Sequence, residues 1–222
     1  MATWVVHLRL ADKIIKSGAV PCQYKKEFIT GSLAPDCGYG AKDSLKGFSP
    51  PSSVTHWSEN GLKFFCRYDN FYNEYLRGKE KTSDYYFYLG YFSHLVCDVL
   101  WANTIFQTTE NKYKAEFIKN PEFINTVKKD WYDLDFKFLK ENPDFEPYII
   151  LKNTTAVKDY LPYYESGQLT KQISYIRDYY DDKGSHITER KYTFLTQNEV
   201  GNFLEKALLF FNDCIKKLQA YA

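Results

Sequence analysis

A histidine and an aspartate four residues apart, His94 and Asp98, stand inside an otherwise apolar and aromatic run, Tyr85-Tyr-Phe-Tyr-Leu-Gly90-Tyr-Phe-Ser-His94-Leu-Val-Cys-Asp98-Val-Leu-Trp101. The run holds no Pro, and its length favours a buried helix over a strand. On a helix the two side chains share one face, a turn apart. An imidazole and a carboxylate among aromatic rings are unfavourable unless each is paired or binds a metal. The pair therefore reads either as a hydrogen-bonded core couple or as half of a metal site. Gly90, a further turn back on that face, is expected to leave room beside the imidazole.

Three other residues offer the same chemistry. His7 sits beside the apolar positions of an N-terminal segment. Asp36 follows Pro35, where a carboxylate either caps a turn or points into a cleft. His56 precedes Trp57 on a stretch that reads as a loop. Collected, His7, Asp36, His56, His94 and Asp98 supply imidazole and carboxylate ligands that suit zinc, with iron or manganese as alternatives where oxygen donors dominate.

The elements that must position these residues are helical. Residues 2–17 carry Val5, Leu8, Leu10, Ile14 and Ile15 on an amphipathic pattern stopped by Ser17-Gly18. A short helix is expected over 22–30, then a Gly/Pro-broken stretch around Pro35 and a loop over 41–53. Residues 62–75 read as an aromatic helix interruptible at Asp69-Asn70. Ser83 or Asp84 is the expected N-cap of the central helix, which should reach about Phe106. Residues 117–139 are amphipathic, with Lys128-Lys-Asp130 on a solvated face and Asp133 and Asp135 as capping or surface residues. Short helices are expected over 152–160 and 169–180, with a turn over 181–186. Thr196 and Glu199 form a capping box that opens a helix to about Tyr221, whose apolar stripe includes Val200, Phe203, Leu204, Ala207, Phe211 and Cys214. The expectation is an all-α fold, one helical bundle over residues 1–222, with the metal site at one end.

Composition narrows the function. The net charge of +1 over 222 residues leaves no electrostatic footprint for nucleic acid. No stretch is long and apolar enough for a membrane span. Five cysteines without a C-x-x-C pair fit reduced thiols. With no signal-peptide pattern at the start, they point to the cytoplasm. Twenty Tyr and seventeen Phe suggest a pocket with aromatic walls, for which Tyr39, Trp57, Tyr85, Tyr88 and Tyr91 are candidates.

The order Val6-His7-Leu8, Ala34-Pro35-Asp36, Thr55-His56 and Tyr88-Leu-Gly90-Tyr-Phe-Ser-His94-Leu-Val-Cys-Asp98 resembles the bacterial zinc-dependent phospholipase C family, and more distantly the fungal three-zinc single-strand nucleases. The resemblance spans about the first 100 residues. It implies that Asp36, His56, His94 and Asp98 hold one zinc, that Asp98 bridges to a second ion at His7, and that the carboxylate of Asp36 serves as general base. In the secreted enzymes the backbone of a processed N-terminal residue completes the second ion's ligands; here removal of Met1 would expose the amine of Ala2. A third zinc would need two further histidines and a glutamate in an H-x-x-x-E arrangement. The only histidine after His94 is His186, and His186-Ile-Thr-Glu189 has another spacing, so the third ion is expected to be absent.

The expected activity is therefore hydrolysis of a small-molecule phosphoester by metal-activated water, using one or two ions. The alternative is a noncatalytic protein with a structural or sensory metal, whose ligands would close the coordination shell. Nothing in the sequence sets the oligomeric state.

Overall fold

The computed structural model describes residues 2–40, 48–182, 186 and 188–220. Parts of the stretches read as a loop over 41–53 and a turn over 181–186, and the expected helix end at Tyr221, lie outside the described residues. Eleven α-helices follow one another among the described residues, with one antiparallel pair of two-residue strands, Tyr39–Gly40 against Phe48–Ser49. The fold is an all-α bundle.

At its centre lies α5, Ser83–Trp101, the aromatic run. It buries residues on all sides, from Tyr86 and Phe87 to Asp98 and Trp101, as a helix apolar all round must. Its N-cap is Thr82, so Ser83 and Asp84 fall inside the first turn instead of capping it. The helical path does not end at Trp101. It widens into a π-helical segment, Ala102–Phe106, and resumes as α6, Gln107–Lys112.

Around α5 pack α1 (Trp4–Lys16), α2 (Lys25–Leu33), α4 (Tyr68–Tyr75) and α11 (Gln197–Ala220). Along α1, Val5, Leu8, Leu10, Ala11 and Ile14 are buried while Lys13 and Lys16 stand in its last turn, favourable to the helix dipole. The capping box at the start of α11 forms: the Glu199 carboxylate accepts from the Thr196 amide at 2.8 Å, and the Glu199 amide donates to Thr196 Oγ1 at 3.3 Å.

Gly90 does a different job from the one expected. A Cβ there would lie 2.1 Å from the Phe28 carbonyl oxygen, and one at Gly31 would lie 2.0 Å from the Phe87 carbonyl oxygen. The two glycines let α2 and α5 cross backbone to backbone, so the space beside α5 is filled by α2 and not left to the imidazole. That approach places the Ser32 carbonyl against His94.

Elsewhere local chemistry moves element boundaries. Lys63–Phe65 is a 3₁₀ turn, and α4 begins only at Tyr68, so the break in 62–75 precedes Asp69-Asn70. The 117–139 stretch divides into α7, Lys114–Lys119, and α8, Phe123–Glu141, on either side of Asn120-Pro121. The helix expected over 152–160 is instead α9, Glu146–Lys152, with Pro147 in its first turn where its missing N–H costs nothing. Residues 153–160 are not helical. The segment 169–180 is α10, Gln168–Asp181.

The acids of α8 are not surface residues. Asp130, Asp133 and Asp135 are all buried. Asp130 accepts from Arg190 Nη1 at 2.6 Å and from the amides of Thr193 and Phe194 at 2.7 and 2.6 Å. Arg190 also donates to Asp133 Oδ2, fastening the strap before α11 onto α8. Asp135 accepts from Thr3 Oγ1 at 2.7 Å and from the Tyr180 hydroxyl at 2.6 Å, which ties the start of α1 to α8 and α10. Amphipathic spacing cannot reveal such pairing, because each partner comes from a distant element.

Candidate metal centre

Four elements bring the five residues together. His7 comes from the first turns of α1, and Asp36 from a 3₁₀ turn, Ala34–Asp36, that leaves α2. His56 is the C-cap of α3, the single turn Ser52–Thr55, rather than part of an open loop. His94 and Asp98 lie on α5, one turn apart as expected. His7, His56, His94 and Asp98 are all buried, and the Asp36 side chain nearly so.

Asp98 faces two ways. Its Oδ2 lies 3.5 Å from His94 Nε2 and 3.7 Å from His56 Nε2, while its Oδ1 lies 3.5 Å from His7 Nε2. Asp36 Oδ1 lies 3.1 Å from His56 Nε2 and 3.9 Å from His94 Nε2. The His7 and His94 rings stack at 3.7 Å and 6°. Two groups have ligand atoms mutually within 4.8 Å: His7, His94 and Asp98, and Asp36, His56 and His94. These are two candidate sites for a divalent cation, sharing His94.

The tautomer of His94 is set from behind. His94 Nδ1 lies 2.8 Å from the Ser32 carbonyl oxygen, which can only accept, so Nδ1 carries the proton and the Nε2 lone pair faces the carboxylates. Behind His56, Nδ1 meets Thr55 Oγ1 at 2.9 Å, a hydroxyl that can serve either tautomer. His94 Nε2 and both nitrogens of His7 are buried without a hydrogen-bond partner. Such orphans are costly in a core, and a metal ion would satisfy them. The donor set thus fits a divalent cation.

The electrostatics agree. Burial, with a further push from His94, lowers His7 to about 4 against the pull of Asp98. Burial and the Lys63 ammonium lower His56 to about 4 against the pull of Asp36. Both are neutral at pH 7, the form that ligates. Burial pushes Asp36 and Asp98 up, but Lys63 and the neighbouring imidazoles outweigh it and hold both carboxyls well below the usual range.

Sequence reasoning missed two participants, Lys63 and the Ser32 carbonyl, and left the reach of Ala2 open. Lys63 reaches in from its 3₁₀ turn, with Nζ 2.7 Å from Asp98 Oδ2 and 3.8 Å from Asp36 Oδ1. A single Lys between Leu62 and Phe64 carries no periodic signal that could have marked it. The Ala2 amide donates to Asp98 Oδ1 at 2.9 Å, so the start of the chain does reach the site. The Ser32 carbonyl is backbone and leaves no sequence signature.

Lys63 and a divalent cation compete for the same carboxylate oxygen. Like charges ~4 Å apart repel by several kcal/mol even at an effective dielectric of about 20. Lys63→Met should therefore tighten zinc binding by at least about tenfold and destabilise the metal-free protein, whose carboxylates lose their cation. Titration against a chromophoric chelator measures the first effect; unchanged or weaker affinity would contradict it.

One cavity of about 410 Å³ opens beside this centre, with Asp36 and His56 in its wall. Its aromatic residues are Trp4, Phe48, Trp131, Tyr132 and Tyr175. None of the five expected from sequence lines it; Trp57 borders a different depression, and Tyr85 and Tyr88 another. The helical spacing of Lys128, Trp131 and Tyr132 (i, i+3, i+4 on α8) was the available signal.

His186 stands apart. Its Nδ1 lies 3.3 Å from Asp133 Oδ1 and its ring stacks on Phe136 at 3.6 Å. Among the described residues no third group of potential ligands forms. His186→Ala should leave the zinc content unchanged, as elemental analysis would show; loss of one equivalent would reveal a further site.

A helical bundle with two adjoining His/Asp groups at the edge of a cleft is the arrangement of a metal-dependent phosphoester hydrolase. The chain belongs to the zinc-dependent phospholipase C family, whose model matches residues 6–194, well beyond the stretch that carries the sequence resemblance. No curated protein and no solved structure matches it.

Proposed function

We propose that the protein hydrolyses a phosphoester with one or two zinc ions, held by Asp36, His56, His94 and Asp98, with His7 and Asp98 serving the second. The observation that carries this reading is Asp98, whose two oxygens face different imidazoles across a buried cluster with orphaned nitrogens. A bound zinc there would supply a Lewis acid that activates water and neutralises phosphoryl oxygens. With Met1 removed, the nitrogen of Ala2, 2.9 Å from Asp98 Oδ1, would be an amine placed to complete the second set.

The protein's own residues do the remaining work. The Ser32 carbonyl and Thr55 hydroxyl orient His94 and His56. Asp36 faces the cleft and accepts from His56, so it is placed either to ligate or to take a proton from water. Because Lys63 and the imidazoles hold its carboxyl low, ligation is the role its environment favours. The cleft beside Asp36 and His56 favours catalysis over a purely structural ion, whose ligands would be closed off from any cavity.

No helix among the described residues is long and apolar enough to cross a membrane. The free cysteines Cys22, Cys37, Cys66, Cys97 and Cys214 support a reducing, cytoplasmic setting.

The test is a panel of phosphomonoesters and phosphodiesters with metal-free protein reconstituted with zinc, manganese or iron, run beside Asp36→Asn. Turnover should require metal and fall at least about a hundredfold in the variant, the scale of a lost acid–base or ligand group. No response to metal, or full activity in the variant, would leave the structural-metal alternative.

A further inference from the structure

The wall of the cleft carries a charge that metal ligation does not use. Among the described lining residues Lys128 is the one basic side chain besides His56, and Asp36 the one acidic side chain. Lys128 is half-buried on α8 and interacts electrostatically with Asp36 and Lys63, but no ion-pair partner for it occurs among the described residues. Asp36, the single carboxylate in the described wall, is already committed to the cation cluster. Beside Lys128 stands Trp131, whose buried indole N–H has no acceptor among the described residues. Trp4 and Tyr175, edge to face at 6.2 Å, form part of an aromatic wall.

We infer that this cleft selects phosphoesters whose leaving group carries a second anionic group, a carboxylate or another phosphate, and that Lys128 reads that charge. The inference rests on the phosphoester reading above and goes past it to the class of substrate. With the phosphoryl group at the metal centre, the rest of a small substrate extends along the cavity that Lys128 borders. Aromatic faces alone would welcome a quaternary ammonium. A like-charged neighbour in a half-buried setting opposes it, and no free carboxylate in the described wall compensates. An anionic group instead finds a cation, and apolar atoms beside it cover the aromatic wall. Lys128 is thus a specificity residue and not a catalytic one.

Three probes of similar size separate the possibilities: 2-phosphoglycolate, ethyl phosphate and phosphocholine, which pair the phosphate with a negative charge, no charge and a positive charge. Their affinities for the zinc-loaded protein would be measured by calorimetry in wild type, Lys128→Met and Lys128→Glu, with thermal unfolding as a check on folding. In the wild type, 2-phosphoglycolate should bind about tenfold more tightly than ethyl phosphate, the scale of one charge-assisted contact, and phosphocholine more weakly than either. Lys128→Met should erase the advantage of 2-phosphoglycolate over ethyl phosphate and bring phosphocholine at least level with them, and Lys128→Glu should put phosphocholine clearly first. Phosphocholine binding as tightly as 2-phosphoglycolate in the wild type, or an order untouched by Lys128→Met, would overturn the role of Lys128 and leave the phosphoester reading standing. Failure of all three to bind the zinc-loaded wild type would overturn that reading, and this inference with it.

Discussion

His94→Ala should empty the four-ligand half of the metal centre. His94 belongs to each of the two ligand groups, its Nε2 faces both Asp36 and Asp98, and its Nδ1 is fixed by the Ser32 carbonyl. An ion bound only by the folded state stabilises it by about 4 kcal/mol when present at a thousandfold excess over Kd. For a chain of this length that corresponds to roughly 10 °C in Tm. Chelation should therefore lower the wild-type Tm by about that much and lower the His94→Ala Tm distinctly less. The variant should also lose one equivalent of zinc on elemental analysis. A variant that keeps all its zinc and responds to chelation as the wild type does would remove His94 from the ligand set.

Acid should unfold the metal-free protein before the carboxylates matter. The folded values of His7 and His56 are lowered from 6.5 to about 4, chiefly by burial. Between those values the unfolded chain binds the two protons and the folded protein does not. Stability contributed by these imidazoles is thus complete above pH 6.5 and is lost as pH falls toward 4. Each shift corresponds to about 3 kcal/mol, an order-of-magnitude figure for a fully buried group. Asp135 works against them: burial, only partly offset by Tyr180 and Thr3, raises it from 3.8 to about 7, so it stabilises the folded state more as pH falls through 7. Two imidazoles against one carboxyl leave a net loss of about 3 kcal/mol between pH 6.5 and 4. Below the ordinary carboxylate range the depressed Asp36 and Asp98 add a further loss. Urea titrations in the presence of chelator from pH 7 to 4 would follow this. Stability that holds constant or rises on acidification would mean that the imidazoles are not buried as described.

The clustering residues were legible in the sequence as candidate ligands because their chemistry conflicts with their surroundings. His94 and Asp98 interrupt an aromatic helix, and only a partner or an ion relieves that conflict. The class of fold was legible from the same helical periodicities, most clearly in α11, whose capping box and apolar stripe both occur where the spacing puts them. What escaped was whatever depends on two distant elements meeting. Gly90 looks like room for a side chain until Gly31 is seen against it. Asp130, Asp133 and Asp135 look solvated until Arg190, Tyr180 and Thr3 are found holding them. Lys63 is the sharpest case: an ordinary lysine by composition, it delivers a positive charge to the two carboxylates that a metal would also need. The aromatic walls were misassigned for a related reason. Tyr88 and Tyr91 spend their hydroxyls on the carbonyls of Tyr160 and Thr55, as packing residues do, while the cleft is faced by Trp131 and Tyr132 of α8 and Tyr175 of α10.

Anomalous scattering at the zinc edge, from crystals of untagged protein grown with zinc, tests the central claim most directly. A peak about 2.0–2.1 Å from Nε2 of both His56 and His94, with Asp36 and Asp98 completing the set, is the predicted result. A protein that binds zinc only elsewhere, or that binds none while Lys63 keeps its contact with Asp98, would contradict it.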